Sequence, residues 1–127
     1  MAEHDIAREE TTSLIGSDKV EGTSVFDPSG KKLGSIHNFM VDKKSGQAKY
    51  AVLSFGGVLG MGADYCPVPW GSLTYDTTKN GYVVDIDQDT LKNGPRYNVN
   101  DEPEYDRAYG ETINGHYGMD NPDPRQV

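Results

Sequence analysis

The chain has 127 residues, the usual size of one domain, and a mean hydropathy of -0.69 that is polar for a globular protein. Its net charge of -8 is uneven, since residues 1–22 carry a net charge of -4, residues 23–100 of +1 and residues 101–127 of -5. Acidic flanks repel a phosphate backbone, so we expect no nucleic-acid partner.

The termini and the cysteine content indicate where the protein works. Cys66 is the only cysteine, which excludes an intrachain disulfide and favours a reducing compartment. The first residues have no basic region followed by an apolar one, and no apolar run approaches the roughly 20 residues of a membrane helix. We therefore expect a cytoplasmic protein without a transmembrane segment, in which residues 1–19 form an acidic, partly disordered segment.

Short β-rich runs separated by turn signals begin at Thr23 and predict a mainly β domain over residues 20–95. They favour a small all-β barrel or sandwich over alternating β and α units, and the count of about six strands is in the range that closes a small barrel. "TSVFD" is the first run, and "DPSG" after it has the proline and glycine of a type I turn. In "LGSIHNFMVD" two apolar sets break the strand period, which predicts a bulge or bend near Asn38. The burial candidates of that run are Leu33, Ile36, Phe39 and Val41.

The second half of the barrel is predicted from one continuous run and one hairpin. "AKYAVLSF" is rich in β-branched, aromatic and aliphatic residues and predicts a central strand. "DYCPVPW" fits only an edge or a strand end, because Pro67 and Pro69 donate no ladder hydrogen bond. "SLTYD" and "YVVDI" predict a closing hairpin, with Asn80-Gly81 supplying the positive φ.

Beyond the barrel, the spacing predicts a helical extension over residues 96–118. Asp87 is an N-cap candidate for one helical turn around Leu91, which Gly94 and Pro95 end. A helix capped by Asn100 or Asp101, with Pro103 in its first turn, then follows. Its apolar stripe recurs every four residues at Tyr105, Tyr109, Ile113 and Tyr117. Two glycines make this helix marginal alone, so it needs a surface, either its own barrel or a partner; residues 119–127 read as a disordered tail.

Four glycines in "FGGVLGMGADYCPVPW" raise the question of phosphate binding. A P-loop needs a lysine and a hydroxyl after its last glycine, but Ala63 and Asp64 follow Gly62. A dinucleotide fingerprint needs a glycine at position 65, which is Tyr65. The run is therefore a strand connection that either folds over the barrel mouth or presents an apolar patch to a partner. Its apolar residues are Val58, Leu59 and Met61.

Other candidate chemistry is weak. The carboxylates of "DIDQD" have the spacing that begins an EF-hand calcium loop. The match then fails, because Thr90 occupies the position of the required glycine and Arg96 that of the required glutamate. The three histidines are scattered and no nucleophile elbow occurs, so we expect no catalytic, metal or cofactor site. Trp70 and Tyr65 remain as a ligand platform, although a lone tryptophan in a small barrel is more often core packing.

Three motifs give the chain a specific resemblance: "G-x-x-V-x-D-x-x-G-x-x-x-G-x-I" from Gly22 to Ile36, "SGQAKYAVLSFGG" from Ser45 to Gly57, and "VPWGSL" from Val68 to Leu73. Together they resemble the PRC-barrel family. This β-barrel domain is shared by the cytoplasmic part of the photosynthetic reaction centre H subunit and by the C-terminal domain of a ribosome maturation factor. The resemblance implies a barrel without catalytic residues that docks onto larger assemblies, and it is greatest to short stand-alone bacterial members.

Two functions follow as expectations. The first is a non-enzymatic protein-binding or assembly module with an unknown protein partner, self-associating as a homo-oligomer, with a dimer favoured. Its contact surface would be the glycine loop or the tyrosine stripe. The second is a small-ligand carrier or sensor with a pocket near Tyr65 and Trp70.

Overall fold

The computed structural model describes residues 14–55 and 64–118. Within these ranges the elements are six strands, three short helices and one 3-10 turn at Trp70–Ser72. The strands are β1 (Ser24–Phe26), β2 (Lys32–Val41), β3 (Ala48–Ser54), β4 (Tyr65–Pro69), β5 (Leu73–Asp76) and β6 (Gly81–Val84). The helices are α1 (Ser17–Val20), α2 (Gln88–Lys92) and α3 (Arg107–His116). No helix in these ranges is long and apolar enough to cross a membrane.

The strands form a single sheet in the order β4-β3-β2-β1-β6-β5, curled into a half-barrel. All neighbours are antiparallel except β1 and β6, which pair in parallel. The predicted mainly β fold of about six strands with a C-terminal helix is confirmed. The run "AKYAVLSF" is an interior strand, as predicted, and the proline-bearing β4 lies at an edge.

The longest strand, β2, is bent at two places. Its register shifts between Ile36 and Asn38, which confirms the predicted bulge, and shifts again between Met40 and Val41. Leu33 and Ile36 are buried as predicted. The prediction that Val41 is buried is wrong, because the side chain is 44% exposed beyond the second shift, where β2 ends.

The concave side of the sheet holds the hydrophobic core. Leu33 and Ile36 of β2 meet Leu53 of β3 there, and Phe55 follows β3 into the same cluster. Leu91 of α2 joins it from the helical side. Phe39 and Trp70 are only partly buried and pack against the cluster, with their ring centroids 5.6 Å apart. Trp70 is thus a packing residue, since it also lies edge-on to Tyr82 at 5.8 Å.

Local chemistry builds the turns as the sequence predicts. Asp27 accepts hydrogen bonds from the backbone N–H groups of Ser29 and Lys31, at 3.0 and 2.9 Å, and so closes the "DPSG" turn. Its second carboxylate oxygen accepts a hydrogen bond from Gln88 at 3.2 Å, which joins this turn to the start of α2. Asn80 has a φ of 51°, the positive value predicted for the β5–β6 turn.

Gly34 is required by a close approach between strands. A Cβ at this position would overlap the Ser54 carbonyl oxygen and lie 2.9 Å from the Phe55 Cα, both of them backbone atoms that cannot turn aside. We expect Gly34→Ala to lower the free energy of unfolding by about 1–3 kcal/mol, as overpacking does. Urea unfolding followed by circular dichroism measures the change.

Gly115→Ala is the matched control for that measurement. Position 115 lies in α3 with nothing within 4 Å of a built Cβ, so alanine there should raise the free energy of unfolding by about 0.5–1 kcal/mol. Equal effects of the two substitutions would contradict the close approach at Gly34.

Candidate functional site

The C-terminal helix packs on its own sheet rather than standing away from it. α3 contacts β4, and its inward residues Gly110, Ile113 and Asn114 are buried, with Ile113 0% exposed. Asn114 donates to the Tyr50 hydroxyl at 3.5 Å. Of the two surfaces considered for this helix, its own barrel is therefore the one it uses.

The beginning of the helix differs from the prediction. Asp106 is the N-cap, and its carboxylate accepts from the backbone N–H of Tyr109 at 2.9 Å. Asn100 and Asp101 are not caps, because residues 98–101 close a turn of their own through the Asp101 N–H and the Asn98 carbonyl at 3.0 Å. Pro103 likewise precedes the helix and is not in its first turn.

Tyr105 consequently lies outside the helix and belongs to a larger aromatic assembly. We call this the aromatic row: His37, Tyr65, Tyr97, Tyr105 and Tyr109 in spatial order, with Tyr50 beside Tyr105. His37 stacks on Tyr65 at 4.0 Å between ring centroids and 12° between planes. The next centroids are 6.0, 6.3 and 5.1 Å apart, all in edge-to-face geometry. These are the separations at which aromatic pairs attract.

The row crosses from surface to interior, which changes the acidity of its hydroxyls. His37 is exposed, whereas burial, followed by the hydrogen bond with Tyr97, raises the pKa of Tyr105 far above its usual value. The Tyr97 and Tyr105 hydroxyl oxygens are 2.7 Å apart. Burial raises the pKa of Tyr109 to about 12, and its buried hydroxyl finds no hydrogen-bond partner among the described residues. All three hydroxyls are therefore protonated at neutral pH.

A second set of contacts fastens the end of α3. Tyr117, the helix C-cap, places its hydroxyl 3.6 Å from the Cys66 sulfur of β4 and lies so close over Gly94 that a Cβ there would overlap it. The His116 Nε2 atom is 2.8 Å from the Thr90 carbonyl oxygen. Burial raises the pKa of the Cys66 thiol, which keeps it in the protonated, unreactive form.

A groove of about 660 Å³ opens where these segments meet. It lies between the "DPSG" turn, the start of α2 and the end of α3. Asp27, Asp85, Asp87, Gln88, His116 and Tyr117 are among its lining residues. Neither Tyr65 nor Trp70 lines it, so the groove is not at the place that the sequence suggested for a pocket.

The sequence model of the PRC-barrel domain matches residues 14–91, more than half of the chain. The chain belongs to the PRC-barrel family. A comparison with curated proteins gives no match.

The PRC-barrel motif from Gly22 to Ile36 has a physical explanation here. Gly22 and Gly30 have φ values of 85° and 96°, which side chains rarely adopt, and Asp27 closes the turn between them. Gly34 allows the approach to β3, and Ile36 is in the core. The motif thus encodes the turn and pairing of β1 and β2.

The carboxylates of this PRC barrel with a lowered pKa serve turns and caps. The pKa of each is lowered most by one hydrogen-bond donor in its own turn. The donor to Asp27 is the Ser29 hydroxyl, the donor to Asp42 is the Ser45 backbone N–H, and the donor to Asp76 is the Thr78 hydroxyl. Asp87 caps α2 by accepting from the Thr90 N–H at 2.7 Å, as predicted, and this hydrogen bond lowers its pKa most.

The predicted contact residues fall into three groups. Val58, Leu59 and Met61 lie outside the described residues. Ile113 is buried within the chain, and Tyr105, Tyr109 and Tyr117 are partly buried. Tyr65 is partly buried in the aromatic row.

His37, Tyr50 and Tyr97 are members of the row that the sequence analysis did not select. The bulge predicted near Asn38 is the signal that could have identified His37, because a bulge redirects a side chain.

The lysines do not form one basic patch. Lys31 and Lys32 stand at the start of β2, and Lys43 and Lys44 follow its end. Ten residues of strand at about 3.3 Å each place the two pairs roughly 30 Å apart.

Alkaline pH tests the aromatic row. A tyrosine in the unfolded chain ionises near pH 10, whereas Tyr105 and Tyr109 have raised pKa values in the folded protein. The contribution of these two side chains to the free energy of unfolding is therefore complete below about pH 10 and is lost as the pH rises through their folded pKa values. We expect tyrosinate absorbance and far-UV circular dichroism to change together above about pH 10. Full ionisation with an unchanged circular dichroism spectrum would contradict this.

Two phenylalanine variants separate the roles of the hydroxyls. Tyr109→Phe removes the unpaired hydroxyl and should raise the free energy of unfolding by about 1 kcal/mol at neutral pH and shift the alkaline transition upward. Tyr105→Phe removes the hydroxyl that bonds to Tyr97 and should lower the free energy of unfolding by about 1 kcal/mol.

Proposed function

We propose that this PRC barrel is a non-enzymatic docking module that associates with a second copy of itself or with a protein partner through the surface around the β3–β4 connection. The observation that carries the proposal is the exposed end of the aromatic row. His37 and Tyr65 form a flat stack beside Tyr97, next to the residues where the β3–β4 connection leaves and rejoins the sheet. Aromatic residues of this kind are enriched at the centres of protein interfaces.

The residues on either side of that connection contact the rest of the domain. Phe55, which precedes it, is 1% exposed in the core, and Asp64, which follows it, lies 3.6 Å from Arg96 in an ion pair. The sequence of the β3–β4 connection contains Val58, Leu59 and Met61, the apolar residues that we expect to contact the partner.

The roles of the polar groups support a non-enzymatic reading. The carboxylates with a lowered pKa are bound to turn and cap N–H groups, the Tyr97 and Tyr105 hydroxyls bond to each other, and the Cys66 thiol is buried. Each of these groups has a structural task. Ile113 of the helix is buried and Tyr109 and Tyr117 are partly buried, which favours the connection over α3 as the contact surface.

Leu59→Asp tests the docking surface. We expect the wild-type protein to sediment as a dimer and Leu59→Asp to weaken association at least about tenfold, because a carboxylate in an apolar contact is desolvated without a partner. The thermal transition should stay within a few degrees of the wild type, which shows that the variant is folded.

Val41→Asp is the matched control. Val41 is an exposed apolar side chain at the opposite end of β2, so its replacement should leave the dimer intact. A monomeric wild type, or equal weakening by both variants, would contradict self-association through the connection. In affinity capture from the native cell, a partner lost only with Leu59→Asp indicates a different protein at the same surface.

Small-ligand binding is the second candidate function, and the groove favours it. Its volume of about 660 Å³ is in the range that holds small ligands. A ligand there should raise the melting temperature of the wild type but not of Asp85→Arg, in which a long side chain fills the groove. Asp89→Arg changes a neighbouring residue that does not line the groove, and this variant should keep the response. No shift with any member of a metabolite panel would argue against the groove.

A further inference from the structure

Three Asn-Gly pairs in this chain carry the potential for a spontaneous chemical modification: Asn80-Gly81, Asn93-Gly94 and Asn114-Gly115. In such a pair the glycine backbone nitrogen attacks the asparagine side-chain carbonyl carbon. The new N–C bond closes a five-membered succinimide, and the amide nitrogen leaves as ammonia. Water then opens the ring to aspartate or to isoaspartate, whose backbone has one additional carbon. The net reaction exchanges ammonia for water and needs no oxidant or cofactor.

The folded structure decides which pair can react. The side-chain amide must be free, the glycine nitrogen must give up any hydrogen bond, and the backbone between them must rotate. The reaction therefore needs an exposed segment whose local opening has a low free energy.

Asn114 does not meet these conditions. It is 7% exposed in α3, and its amide donates to the Tyr50 hydroxyl at 3.5 Å. Gly115 lies inside the same helix, so rotation of this peptide would break helical hydrogen bonds.

Asn93 is exposed, but both of its reacting groups are held. Its amide donates to the Asp89 carbonyl at 2.9 Å, and the Gly94 N–H donates to the Leu91 carbonyl at 3.2 Å. Tyr117 lies directly over Gly94 and leaves no room for the peptide to turn. The fold therefore blocks this pair by contacts rather than by burial.

Asn80 differs in its side chain, whereas Gly81 is the first residue of β6 and pairs with Asp76, so the reaction needs the end of the β5–β6 hairpin to open. Asn80 is exposed at the end of the β5–β6 turn, and its amide makes no hydrogen bond within the described part of the chain. We propose that Asn80 is the site at which the folded protein deamidates, and that the fold protects the other two pairs.

The position of Asn80 gives the modification a structural consequence. Gly81 pairs with Asp76 of β5 and with Ser24 of β1, so it lies where three strands meet. An isoaspartate at position 80 lengthens the backbone directly before this junction and adds a negative charge to a chain of net charge -8. The modified protein should unfold at a lower temperature, because the junction of β6 with both neighbours is displaced.

The test is peptide mapping by mass spectrometry after the intact folded protein has aged at mildly alkaline pH, with chromatography separating aspartate from isoaspartate peptides. Asn80 should convert faster than Asn93 and Asn114 by a factor on the order of ten or more. In denaturing urea the three rates should converge. Preferential conversion of Asn93 or Asn114, or the same ratio of rates in folded and unfolded protein, would overturn the proposal.

Asn80→Gly is the matched variant, since glycine accepts the φ of 51° and has no amide to lose. Its melting temperature should stay constant over the same incubation, while that of the wild type falls. An equal fall in both proteins would show that Asn80 does not cause the loss.

Discussion

The outer edge of β4 is the constraint on which the rest of the structure depends. The N–H and C=O of Tyr65 bond to the C=O and N–H of Tyr97, at 2.8 and 3.0 Å, on the side away from β3. Because backbone groups alternate along a strand, positions 67 and 69 face the same side, and both are proline. The prolines therefore remove donors from the free edge and none from the ladder to β3. An edge built this way ends the sheet and resists pairing with another chain.

The C-terminal extension is consequently part of the domain. Tyr97 covers the one position of the β4 edge that still has its donor, and Tyr105 and α3 then follow along the same strand. Tyr117 and His116 fasten the end of the helix to Gly94 and Thr90. The family match ends at residue 91, yet these contacts continue to residue 117. Tyr97, Tyr105 and Tyr109 of the aromatic row come from this extension.

Local features were predictable because they depend on residues close in sequence. The turn hydrogen bonds of Asp27, the positive φ of Asn80 and the cap hydrogen bond of Asp87 involve atoms at most four residues apart, and turn and cap chemistry predicted each of them. The helix start was missed because the choice between Asn100, Asp101 and Asp106 depends on where Tyr105 packs, and its partners Tyr50 and Tyr97 are set by the fold. The groove was missed for the same reason, since its walls come from turns about 60 and 90 residues apart. The parallel pairing of β1 with β6 is likewise a long-range choice that no local pattern specifies.

The charge distribution limits the kind of interface that this barrel can use with a second copy. Two chains of net charge -8 repel each other, and all of this net negative charge comes from the acidic flanks. The lysine pairs at the two ends of β2 are too far apart to offset it at one place. An attraction between copies must then come from apolar contact at short range, which added salt strengthens by screening the repulsion. An interface at the exposed end of the aromatic row meets this condition, because stacked rings and an apolar connection add contact area without adding charge. Added salt therefore distinguishes the two kinds of partner. It weakens binding of a basic partner, which the acidic flanks attract, and it strengthens binding of a second copy, which they repel.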